Sequence, residues 1–140
     1  MTKAPITKGL VALFGSAALL TACNSAQERA EDQREDAAEA SAAASGSAIA
    51  ALGLTEAQLL DADIIDASNR ELGEVEGVVR GSGGQVEHLL VELEGSNPAR
   101  TVQVPVAGLK PVKQGTDTDL STTMTAEQLT ALPDAAPAQR

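Results

Sequence analysis

Short alternating segments separated by glycine-rich breaks fill the second half of this chain, and they constrain its fold more than any other feature. "LGEVEGVVR" (72–80) and "QVEHLLVELE" (85–94) alternate apolar and polar side chains, and "GSGG" (81–84) lies between them. Alternation on both sides of such a break is typical of a β-hairpin. A second break, "GSNP" (95–98), precedes "TVQVPVAGL" (101–109), which alternates again. We therefore predict a mainly β domain, a small barrel or sandwich.

The same alternation predicts which side chains face the core. Three inward-facing groups follow from the period of two: Gly73, Val75, Gly77 and Val79; Leu89, Val91 and Leu93; Val102, Val104 and Val106. Thr101, Gln103 and Pro105 then point outward. Because proline has no N–H group, we place the strand of Pro105 at a sheet edge or strand end. The run "ADIID" (62–66) adds a short strand.

Two capping boxes predict short helices on either side of these strands. "TEAQ" (55–58) opens a helical turn that reaches Leu60, and a second box, Thr125 to Gln128, opens a helix that stops at Pro133. Between the last strand and this helix, "TDTD" (116–119) is interpreted as a polar loop.

Taken together, residues 54–112 resemble a PRC-barrel domain. The resemblance is carried by Gly73 with Val75, the glycine-rich hairpin 81–84, the hydrophobic strand 89–93, and Val104 with Pro105, Ala107 and Leu109. It implies a small PRC-barrel-like β-barrel with short flanking helices over residues 53–133, followed by a C-terminal tail, 134–140. Gly77 departs from the family pattern, which often has an acidic residue there. Family members serve as protein-docking modules, so the resemblance also implies a docking role.

The N-terminal residues 1–22 have the plan of a bacterial lipoprotein signal peptide. Lys3 and Lys8 precede an uncharged run, 9–20, which is shorter than the roughly 20 apolar residues needed to span a bilayer. The ending "LTAC" resembles a lipobox. This resemblance implies that Cys23 becomes the lipidated N-terminus and holds the mature chain on the membrane, since two or more acyl chains anchor a protein stably.

Other interpretations of Cys23 remain open. It is the only cysteine of the chain, so an intramolecular disulfide is excluded, whereas an ordinary secretory signal with a free or intermolecularly paired thiol is not. The lipid interpretation places the protein in the bacterial cell envelope. Asn24, where an aspartate would favour the inner membrane, favours the periplasmic face of the outer membrane.

The stretch 23–52 is predicted to be an acidic, alanine-rich tether, either disordered or a fraying helix. Large apolar side chains are nearly absent from it, so it has little surface to bury. Its alanine, glutamate and arginine residues nevertheless favour helix over 26–44. No leucine or isoleucine repeats at heptad positions, which argues against a coiled coil. An acidic binding segment is the alternative.

Composition excludes several classes of partner. Without residues 1–22 the chain has eight basic and twenty acidic residues, a net charge of −12, which repels nucleic acid. The only aromatic residue, Phe14, lies in the signal peptide. The mature protein therefore has no aromatic platform on which bases or sugars could stack.

Few side chains suggest chemistry. Asp61, Asp63, Asp66 and Glu71 could attract calcium, but they lack the spacing of an EF-hand loop. The single histidine, His88, is predicted to be a solvated strand residue. "GSGG" lacks the lysine of a phosphate-binding loop, and no "G-x-S-x-G" nucleophile elbow is present. We predict no metal site, no cofactor and no enzymatic activity.

The sequence thus predicts a non-enzymatic envelope lipoprotein whose PRC-barrel-like domain docks or scaffolds proteins. A core without aromatic residues or a disulfide favours completion by a protein partner or by self-association. The alternative is a small-ligand or calcium-binding module that uses the acidic clusters at 61–71 or 87–94.

Overall fold

The computed structural model describes residues 22–135, with side chains from residue 26 onward. Apart from Ala22, the predicted signal peptide lies outside the described residues, and so do residues 136–140 of the predicted tail. Cys23 lies in a helix, but its side chain is not among those described. Its lipidation and the predicted domain boundaries therefore stay predictions.

The described chain is mainly β, as predicted. In chain order the elements are α1 (Ala22–Ser45), β1 (Ile49–Ala51), β2 (Leu54–Thr55), α2 (Glu56–Leu60), β3 (Asp63–Ile65), β4 (Glu71–Arg80), β5 (Val86–Leu93), β6 (Thr101–Pro105), β7 (Leu109–Gln114), β8 (Asp117–Thr122) and α3 (Ala126–Thr130). A turn of 3-10 helix, Val106–Gly108, joins β6 to β7. Strands β1 and β2 form a small separate ribbon.

The remaining six strands form one sheet in the order β6-β5-β4-β3-β8-β7. All neighbours are antiparallel except β3 and β8, which are parallel. Within residues 22–135 the sheet does not close into the predicted barrel, because β6 and β7 remain its two edges.

The chain's own C-terminal segment occupies the β6 edge. The backbone N–H of Gln103 donates to the backbone carbonyl of Pro133 at 3.2 Å. The backbone N–H of Ala135 donates to the backbone carbonyl of Thr101 at 2.9 Å. The backbone groups that would close a barrel are thereby used. The predicted edge position of Pro105 is confirmed.

The β4–β5 hairpin is confirmed, with a turn at 81–84 in which the Gly84 amide donates to the Gly81 carbonyl at 2.9 Å. In β4, the predicted division into core-facing and solvent-facing side chains is correct up to Val75, where a bulge interrupts the strand. Val75 pairs with Val91 but Gly77 pairs with Leu90, so Glu76 is an extra residue that reverses the alternation after it. Consequently Val78, and not the predicted Val79, packs against the core.

The predicted polar loop 116–119 is wrong, because β7 and β8 form a second hairpin across it. The turn is made by Gly115, whose φ of +63° suits glycine. In β8 the buried side chains Leu120 and Thr122 alternate with more exposed neighbours. Alternation did not reveal β8 because Thr122 occupies a buried position where an aliphatic residue would be expected.

The core contains the predicted inward-facing side chains of β5 and β6. Leu89, Val91, Val102 and Val104 are at most 1% exposed. Both predicted capping boxes are present, in Thr55–Gln58 and Thr125–Gln128. Each short helix contributes one fully buried leucine to the core: Leu59 in α2 and Leu129 in α3.

Candidate functional site

Helix α1 lies against the sheet face opposite the core, and it does so with polar side chains. The predicted helix 26–44 is confirmed, but it contacts β4 and α2 and is not detached from the domain. The more buried positions are Gln27, Glu31, Arg34, Ala38, Ser41, Ala42 and Ser45. Their spacing of three and four residues marks one helix face. Ala42 is the only buried residue among the described side chains of α1, and it keeps 7% of its surface exposed.

Hydrogen bonds fix the N-terminal half of α1 to the β6 side of the sheet. The Gln27 amide donates from Nε2 to the Ala99 carbonyl at 3.2 Å. Arg34 donates from Nη1 to the Thr101 hydroxyl at 3.1 Å, and that hydroxyl donates to Glu76 Oε2 at 2.9 Å. Thr101 points away from the core as predicted, yet it is buried because α1 covers it.

At the other end of α1, Ser45 contacts the buried carboxylate of Glu56 in α2. The Ser45 hydroxyl donates to Glu56 Oε2 at 2.7 Å, and Arg80 Nη2 donates to the same oxygen at 2.5 Å. Glu56 is 0% exposed, and its Oε1 has no hydrogen-bond partner. Burial acts to raise the pKa of Glu56, but the Ser41 and Ser45 hydroxyls and Arg80 outweigh it, so this pKa lies below its usual value.

A row of carboxylates crosses the sheet beside α1. Strand register places Asp63 opposite Glu74, Glu74 opposite Glu92, and Glu92 opposite Thr101. Asp63 also lies near Asp119 of β8: burial first, and then the charge of Asp119, raises the pKa of Asp63. Like charges on neighbouring strands destabilise a sheet. The row is thus a concentration of negative charge that folding alone does not favour.

Within this row, Glu92 is the residue whose pKa is raised most strongly. The bulge turns Glu76 toward Glu92, and the hydrogen bond between the two side chains raises the pKa of Glu92 to about 7. Burial and the negative charges of Glu76 and Glu31 act in the same direction, while Arg34 lowers the pKa in part.

These carboxylates open into a groove between α1, α2 and the sheet, with a volume of about 780 Å³. Seven carboxylates line it: Glu31, Glu35 and Glu39 from α1, Asp61 after α2, and Glu74, Glu76 and Glu92 from the sheet. Apolar lining comes from Leu60, Val75 and several alanines. Among the residues that the structure describes, no lysine or arginine lines this groove.

The four acids considered for calcium do not gather in one place, although Asp63 lies close enough to Glu71 for its charge to raise the pKa of Glu71. The Asp66 carboxylate accepts hydrogen bonds from the Ser68 and Arg70 amides, at 2.7 and 3.1 Å, and so holds a turn. Asp61 lines the groove, whereas Asp63 belongs to the sheet row. Across 22–135 no group of three or more His, Cys, Asp or Glu residues has the arrangement of a metal site.

His88 lies half-buried in β5, with Val79 and Pro105 as its strand neighbours. The segment 81–84, "GSGG", forms a turn, as predicted, and no helix follows it. Neither feature adjoins the groove.

Sequence reasoning missed Glu56 and Glu76, whereas Glu92 and Asp61 belong to the acidic clusters 87–94 and 61–71 that it considered for a ligand. The usable signal was the polar stripe of α1 at helical spacing, which a search for leucine and isoleucine passes over. The pairing of Glu76 with Glu92 depends on the bulge, which the alternation did not predict.

No protein-family model matches the chain, and no curated protein matches it either. In the described part of the chain no helix is both long enough and apolar enough to cross a membrane.

Proposed function

We propose that this protein is a non-enzymatic lipoprotein of the bacterial envelope that docks a basic segment of a partner protein in the groove beside α1. The observation that carries the proposal is the groove lining, seven carboxylates with no cationic side chain from residues 22–135 among them. A lysine- or arginine-rich segment would supply the missing positive charge, and complementary charge gives docking its specificity and speed.

The dimensions of the groove agree with a peptide-sized occupant. Its volume of about 780 Å³ lies within the range of roughly 300–1,000 Å³ typical of ligand sites. The side chains of Leu60 and Ala38 offer apolar contact for the aliphatic stems of lysine or arginine. The carboxylates of α1 on one wall and of the sheet on the other would pair with the ammonium or guanidinium groups of those side chains.

The PRC-barrel-like character of the sheet is part of the proposal. It is supported by the structural demands on residues that carry the resemblance. A Cβ atom on Gly73 would lie 2.3 Å from the Glu92 carbonyl oxygen, so only glycine fits there. Gly81 to Gly84 make the hairpin turn between β4 and β5.

The envelope location rests on Cys23, which directly precedes the acidic helix. The backbone of α1 begins at Ala22, so a lipid on Cys23 would hold one wall of the groove near the membrane. Metabolic labelling with an alkyne palmitate should mark the full-length chain, and Cys23→Ser should abolish both the label and membrane sedimentation. An unlabelled wild-type chain, or a Cys23→Ser variant that still sediments with membranes, would contradict the anchor.

Docking is tested separately by NMR titration with a short peptide of alternating lysine and alanine. We expect saturable shifts confined to the groove that weaken as salt is added. The double variant Asp61→Asn, Glu74→Gln should bind the peptide about tenfold more weakly. Glu87→Gln is the matched control, because Glu87 is exposed on β5 outside the groove. Equal affinity in all three proteins would refute the docking site, and calcium that displaces the peptide would favour a cation site.

A further inference from the structure

Helix α1 runs along the sheet and reaches the loops at both ends of β5. Near its start, the Gln27 side chain donates to the backbone carbonyl of Ala99, in the loop between β5 and β6, at 3.2 Å. At its last residue, the Ser45 hydroxyl accepts a hydrogen bond from Arg80 Nη2 at 3.4 Å. Arg80 also donates to the Gly84 carbonyl, in the turn between β4 and β5, at 2.9 Å. The two loops that flank β5 therefore lie at opposite ends of α1.

The lengths of the two elements agree with this arrangement. From Gln27 to Ser45 an α-helix rises about 27 Å. Strand β5 has eight residues, which span about 26 Å. The β4–β5 turn is thus separated from the β5–β6 loop by nearly the whole length of α1.

Cys23 lies at one of these two ends. Helix α1 is continuous from Ala22, so Cys23 precedes Gln27 by about 6 Å along the helix axis. Because Gln27 is bonded to Ala99, the β5–β6 loop lies about one helical turn from Cys23 along that axis. We call residues 22–27 and 95–99 together the anchor end.

Neither segment of the anchor end contains a charged residue. The segments read "ACNSAQ" (22–27) and "GSNPA" (95–99), in a mature chain with a net charge of −12. Acidic side chains at this end would be repelled by anionic lipid headgroups, whereas small polar ones are not. Arg100, which follows the loop, forms an ion pair with Asp134. The anchor end can therefore approach a bilayer without bringing an acidic side chain of its own against it.

We propose that the anchor end rests on the bilayer surface, so that the lipid on Cys23 seats the domain directly on the membrane. This inference rests on the proposed lipidation of Cys23. The loop 95–99 contacts the lipid headgroups, and the β4–β5 turn points away from them, about 26 Å farther out. The groove, which extends along α1 from Glu31 to Gly46, then opens sideways above the headgroups.

Fluorescence quenching of the lipidated, full-length protein in phosphatidylcholine vesicles tests this orientation. Asn97→Cys and Ser82→Cys each introduce one thiol for a fluorophore, at exposed positions of the β5–β6 loop and the β4–β5 turn. The lipidated Cys23 is a thioether and does not react. We expect nitroxide-labelled headgroups to quench the fluorophore at position 97 at least about twofold more than the one at 82, because about 26 Å separates the two loops.

Sedimentation of the same samples distinguishes the orientation from the anchor itself. Equal quenching at the two positions, or stronger quenching at 82, in protein that sediments with the vesicles would overturn the orientation and leave the anchor intact. A flexible leash between Cys23 and the domain would give the first of these results. Wild-type protein that does not sediment with the vesicles would overturn the anchor, and the orientation with it.

Discussion

The guanidinium of Arg80, at the end of β4, donates to the carboxylate of Glu56, which is the first residue of α2 and is fully buried. The N–O distance is 2.5 Å, and the Ser45 hydroxyl of α1 shares the same carboxylate oxygen. The side chain of Glu56 therefore links its own helix, α2, both to helix α1 and to strand β4. Arg80 is 36% exposed, so the pair lies at the boundary between core and solvent.

Removal of Arg80 should destabilise the domain. Breaking a buried ion pair costs roughly 3–5 kcal/mol, and the partial exposure of Arg80 reduces this to about 2 kcal/mol. Urea denaturation of Arg80→Ala at neutral pH measures the loss. Arg70→Ala is the control, because the Arg70–Asp66 pair is on the surface and should contribute at most about 1 kcal/mol. A loss no larger than that of the control would contradict the role of Glu56.

Acid should weaken the same pair. The pKa of Glu56 lies below 4.5 in the folded protein, so its stabilising contribution is present above that pH and is lost as the pH falls through the folded-state pKa. Arg80→Ala should therefore show a smaller acid-induced loss of stability than the wild type. Parallel curves of unfolding free energy against pH would contradict this expectation.

Gly73→Ala should destabilise the hairpin, because a Cβ atom there would lie 2.3 Å from the Glu92 carbonyl oxygen and 2.8 Å from a methyl group of Val91. Overpacking of this kind costs about 1–3 kcal/mol. Thermal denaturation should show a clear decrease in Tm. Gly83→Ala is the matched control, since nothing lies within 4 Å of its Cβ position. Equal melting temperatures for the two variants would refute the close approach.

Leu120→Ala tests the second hairpin. Leu120 is 0% exposed and pairs with Ile64, so its truncation should cost about 2–5 kcal/mol in urea denaturation. Thr116→Ala, at the exposed turn before β8, should change the unfolding free energy by less than about 0.5 kcal/mol. If 116–119 were a polar loop with Leu120 exposed, both substitutions would be mild.

Asp63→Asn should stabilise the protein at neutral pH, by about 0.2–1 kcal/mol, because it removes one charge from the carboxylate row. The pKa of Asp63 is raised, so its penalty is absent below the ordinary value of 3.8 and grows as the pH rises through the raised one. The gain should therefore disappear in acid and shrink at high salt. Asp32→Asn, on an exposed position of α1, should not show this pH dependence.

The strands and the capped helices could be predicted because their signals are local. The alternation in β5 and the capping box at Thr55 each depend on residues close together in the chain, and both predictions are confirmed. The loop predicted at 116–119 was wrong, since Leu120 is the only large aliphatic side chain of β8.

The candidate site could not be predicted in the same way, because it depends on distances across the chain. The carboxylate row exists only once Glu74 and Glu92 are aligned by strand register, and one extra residue at the bulge decides that Glu76 joins them. Helix α1 gave no aliphatic pattern, although Gln27 and Arg34 hold it through hydrogen bonds. Periodicity of apolar residues does not report such a contact.

The two edges of the sheet are protected in different ways. Residues 133–135 pair with β6, while β7 carries Pro111 between Lys110 and Lys113. Proline cannot donate a backbone bond, and a repeated positive charge discourages a second β7 from aligning with the first. Both edges of the sheet are therefore poor templates for a strand from a second molecule, which disfavours fibril growth through the sheet.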